Sequence, residues 1–126
     1  MHSPVIIGFS GIDLPNYKHV IKNTLSIYST LVNEMCKKLS VPACTIFNEF
    51  PYFDLIMKAI DYGFGIVMFT GEELSFEEQI SQIHRIVEKA HQALIAVEGE
   101  IASPPGLGKK LKAVPDNLHL TDAIVA

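Results

Sequence analysis

The chain has 126 residues, 48% of them hydrophobic, with a formal net charge of −4 at pH 7. That length builds one domain with a real core and no more, and the acidic balance argues against a nucleic-acid binder, which needs a basic patch over the phosphates. No stretch approaches the ~20 apolar residues of a membrane helix. The start at Met1 lacks the basic n-region of a signal peptide, and Cys36 and Cys44 give neither a metal spacing nor a disulfide framework, so a reducing, cytoplasmic setting is expected.

Val5 to Phe9 is a short β-branched run that Gly8 and Gly11 help to end, and it predicts a strand. From about Asn16 to Lys38, Ile21, Leu25, Tyr28, Val32, Met35 and Leu39 recur on steps of three and four. They predict one stripe of a long helix. Val41 to Phe50, bounded by Pro42 and Pro51, predicts a buried strand ending near Phe47 or Asn48. Phe53, Ile56, Met57 and Ile60 predict a second helix that stops at Gly63. Phe64 to Phe69 is a further apolar strand closed by Thr70 and Gly71. Ser75 and Glu78 form a capping box, and the helix they open carries Phe76, Ile80, Ile83 and Val87. Leu94 to Val97 predicts a fourth strand.

The order is β-α-β-α-β-α-β. Strands apolar on both faces, alternating with helices, are the signature of a parallel α/β sheet. Polar residues collect at the strand C-termini: Ser10, Asn48 with Glu49, Thr70, and Glu98 with Glu100. In such sheets this edge carries the chemistry. Asn48, Glu49 and Glu100 are therefore the candidate site residues, set against the plainer reading of solvated strand-end turns. His84 and His91 stand seven apart rather than four, a poor metal spacing on a helix, and are expected on its surface. Gly106 to Lys110 lacks the spacing of a phosphate loop.

Four stretches together resemble the class II, metal-dependent aldolases that act on fructose or tagatose bisphosphate. Ser3-Pro4-Val5-Ile6 resembles that family's second strand, Ala59 to Phe64 its AIDAGF segment, Leu74 to Ile80 its LPFEENI segment, and Val97 to Ile101 its VEAEL segment. The likeness runs in order over about residues 3 to 102. It implies a partial (half) TIM-barrel-like unit of four parallel strands over residues 1–102, followed by a short irregular tail over 103–126, where Pro104-Pro105-Gly106 breaks any strand.

The resemblance also implies the family's reaction, reversible aldol cleavage of a ketose bisphosphate, with zinc as the metal and a sugar phosphate as the substrate. It puts the family's His-Leu-Asp-His signature on Ile46, Phe47, Asn48 and Glu49. Asn48 then stands where the family has its acid/base Asp, and Glu49 where it has a zinc His. An amide has no proton to exchange near neutral pH; a carboxylate can still ligate zinc. Thr70 replaces the Asp of the family's MIDGS segment, while Glu100 keeps the Glu of its AEL segment and is a further metal-ligand candidate. The family's later zinc histidines and phosphate loops find no counterpart before Ala126. The expectations are an aldolase-like chain that is inactive in isolation and holds no zinc, or an interaction module that self-associates or recruits a partner chain over its open half barrel. A binding domain with residual sugar-phosphate affinity is a third, and a piece of a longer gene is a fourth.

Overall fold

The computed structural model describes residues 3–10, 17–71 and 73–99, with backbone only for 17–23. Glu100 and the tail over 103–126 lie outside the described residues. The elements are β1 (Val5–Ser10), α1 (Tyr17–Lys37), β2 (Ala43–Phe50), α2 (Phe53–Asp61), β3 (Ile66–Phe69), α3 (Phe76–Gln92) and β4 (Ala96–Glu98). The four strands form one parallel sheet in sequence order, β1-β2-β3-β4. This is the α/β alternation that the apolar strand pattern predicts.

The helices cover one face of the sheet. Phe47 and Val67 are neighbours across β2 and β3. They meet Leu25 and Val32 of α1, Ile56 and Ile60 of α2, and Ile86 and Ala90 of α3 in one buried cluster. Residues two apart on a strand share a face, so Ile6, Gly8, Cys44, Ile46 and Ile66 belong to the opposite face. Gly8 continues β1 rather than ending it, and its lack of a side chain is required. A Cβ at Gly8 would lie 1.8 Å from the carbonyl oxygen of its neighbour Ile46.

Two helices end alike. Phe64 N–H donates to Ala59 O and Gly63 N–H to Ile60 O; Ile95 N–H donates to Ala90 O and Leu94 N–H to His91 O. Both are Schellman closures, which need a left-handed residue. At the first it is Gly63 (φ 77), at the second Leu94 (φ 58). Leu94 is therefore a cap and not the start of a strand, and it is 95% exposed. The following Ile95 is buried, and β4 begins one residue later. β3 is likewise shorter than its apolar run, because Phe64 belongs to the α2 closure.

The apolar helix positions are buried only in part, with Tyr28 and Ile83 packed against the core. On α1, Leu25 and Val32 are buried, but Met35, and Leu39 just beyond the helix, are exposed. On α3 the buried pair is Ile86 and Ala90, while Phe76 and Ile80 are exposed. The capping box forms as the sequence predicts: Ser75 Oγ accepts from Glu78 N–H, and Glu78 Oε2 accepts from Ser75 N–H at 2.9 Å.

A polar network sits within the helix-covered side. Thr45, 3% exposed, donates through Oγ1 to Asn33 Oδ1 (3.2 Å) and accepts from Gly65 N–H (2.9 Å). Asn33 Nδ2 donates to Ser29 Oγ and to Gly63 O, and Ser29 Oγ donates to Tyr62 O. The network ties α1 and β2 to the turn that closes α2. It satisfies carbonyls which that turn leaves outside the helix ladder.

Candidate functional site

The strand C-termini lie along one edge of the sheet. Ser10 is the register partner of Asn48, and Met68 is the partner of Glu98. Between β2 and β3 the register slips: Phe47 pairs with Val67, but Phe50 pairs with Phe69. Asn48 and Glu49 together oppose one residue, Met68, which is the arrangement of a β-bulge. Glu49 has φ 55, the left-handed conformation.

The bulge explains how β2 continues past the expected end near Asn48. In a regular strand Phe47 and Phe50 would point to opposite faces. The extra residue returns Phe50 to the helix side, where it is fully buried and stacks on Phe47 at a centroid distance of 3.6 Å. Burying such a side chain stabilises by about 2–3 kcal/mol, more than the ~1–2 kcal/mol that a left-handed non-glycine residue costs. Hydrophobic burial thus fixes the backbone at the candidate site.

Ser10 Oγ donates to Glu49 Oε2 at 2.9 Å. This bond crosses from β1 to the bulge and holds the carboxylate along the strand edge. Asn48 is half-buried beside it, and Thr70 joins the same edge through its N–H, which donates to Phe50 O at 3.2 Å. Ser10, Asn48, Glu49, Thr70 and Glu98 therefore share one edge, as the strand-end pattern predicts. His84 and His91 are exposed on α3, and His84 approaches Glu88 at 3.7 Å. Cys36 and Cys44 are free and half-buried. The Ser10 contact and the bulge are features of the edge that spacing along the chain does not reveal, because both depend on the strand register.

The profile of the family Fructose-bisphosphate aldolase class-II matches residues 1–123. The chain belongs to the class II fructose-bisphosphate aldolase family. A Bacillus subtilis (strain 168) protein named "Probable fructose-bisphosphate aldolase" is 31% identical over 104 residues, covering 82% of this chain and 35% of its own length. A sulfofructosephosphate aldolase of Alkalicoccus urumqiensis is 32% identical over 107 residues, covering 84% of this chain and 35% of its own. Among solved structures, the YdjI aldolase from Escherichia coli K12 superposes with a TM-score of 0.60 at 26% identity, covering 75% of this chain and 34% of that one. The chain thus spans about a third of the length of these relatives.

The zinc expected of a class II aldolase can be tested against the side chains at this edge. A catalytic zinc needs three protein ligands of nitrogen, sulfur or carboxylate type. Among the described residues no three His, Cys, Asp or Glu side chains converge. At the end of β2 the donors are Glu49, already accepting from Ser10, and the amide of Asn48, a poor zinc ligand. The described donor set does not fit zinc.

Proposed function

We propose that this chain is a class II ketose-bisphosphate aldolase-like protein that does not itself catalyse aldol cleavage. The observation that carries the reading is the Asn48–Glu49 bulge. By resemblance, Asn48 stands at the acid/base position of the family and Glu49 at a zinc-ligand position. Aldol cleavage requires a group that takes the proton of a substrate hydroxyl. The Asn48 amide has no such capacity. The Glu49 carboxylate is held along the edge by the Ser10 hydroxyl. Glu49 and Glu100 remain the carboxylates that a metal would use, and a sugar phosphate remains the ligand class that the family implies. The two free cysteines agree with a cytoplasmic setting.

The test is an assay of fructose bisphosphate cleavage by the full chain with added Zn²⁺. No turnover above that of Glu49→Ala is expected. Turnover of the unaltered chain clearly above that control would reject the reading.

A second reading is a non-catalytic interaction or oligomerisation module built on a half barrel. It is supported by apolar side chains left at the surface of a parallel sheet. Ile6 of β1 is 62% exposed, although parallel sheets are ordinarily covered on both faces.

A further inference from the structure

We draw no further inference here: the strongest candidate, the exposed apolar flanks of α1 (Ile27, Leu31 and Met35) and α3 (Phe76 and Ile80) at either end of the described sheet, carries nothing because nothing in the structure shows what covers them.

Discussion

Thr45→Val tests whether the buried polar network holds the fold. The substitution replaces one hydroxyl by a methyl of nearly the same size, so it opens no cavity. It strands Gly65 N–H, which loses its 2.9 Å acceptor in a site that is 3% exposed at Thr45. A buried donor left unsatisfied costs about 1–3 kcal/mol. Asn33 Oδ1 loses a donor too, and Asn33 and Gly65 are both half-buried. The expected loss is about 2 kcal/mol, shared between the two groups. With a urea m-value of ~1–3 kcal/mol/M, the midpoint should fall by roughly 1 M while m stays constant. Thr45→Ser is the control, since it keeps the hydroxyl and deletes one methyl, worth about 0.8 kcal/mol. The order of stability should be Thr, then Ser, then Val. A Val variant as stable as the Ser variant would show that the hydroxyl does not carry this junction. Combining Thr45→Val with Asn33→Ala should cost less than the sum of the two single changes, because they share partners.

Two further changes probe the helix ends. Leu94→Gly should stabilise the protein by about 0.5–1 kcal/mol, because glycine removes a left-handed penalty of ~1–2 kcal/mol and adds back part of it as unfolded-state entropy; Leu94 is 95% exposed, so no packing is lost, and a lower melting temperature would contradict the Schellman assignment. Glu78 titrates below its ordinary value, chiefly because Ser75 N–H bonds the carboxylate, with the Ser75 hydroxyl adding to it. A lowered folded-state pKa contributes stability above the unfolded value, and that contribution is lost as pH falls through the folded value. Glu78→Gln keeps an acceptor in the capping box, so in acid the original protein should lose slightly more stability than the variant; parallel stability curves from neutral pH into the acid range would refute the link.

Local chemistry made much of the fold legible. Ser75 and Glu78 lie three residues apart and recognise each other wherever the chain folds, so the capping box could be read directly. The apolar strands and Gly63 likewise announced the β-α-β-α-β-α-β order, because β-branched runs and glycine stops act over a few residues. The candidate site was legible as a set of strand ends but not as a geometry. Nothing local distinguishes a strand that ends at Asn48 from one that bulges there and continues to Phe50.

Periodicity found the helix faces only in part. Steps of three and four find an apolar stripe, but α1 carries two: a buried one through Leu25 and Val32, and an exposed one through Ile27, Leu31 and Met35. The inward side of α1 also holds Ser29 and Asn33, which an apolar template passes over. Their reason for being there is the closing turn of α2, some thirty residues along the chain, where Tyr62 and Gly63 present carbonyls.

The sequence by itself determined the element order, the start of α3 at its capping box, the stop of α2 at Gly63, and the family, because each depends on residues near one another in the chain. The tertiary structure alone decided that Glu49 takes a left-handed turn and accepts from Ser10, that Thr45 joins three elements, and that two apolar flanks stand at opposite ends of the sheet. Each of these depends on which strand lies beside which and in what register. That is set by burying Phe47, Phe50 and Val67 against the helices, an energy shared across the core and written at no single position.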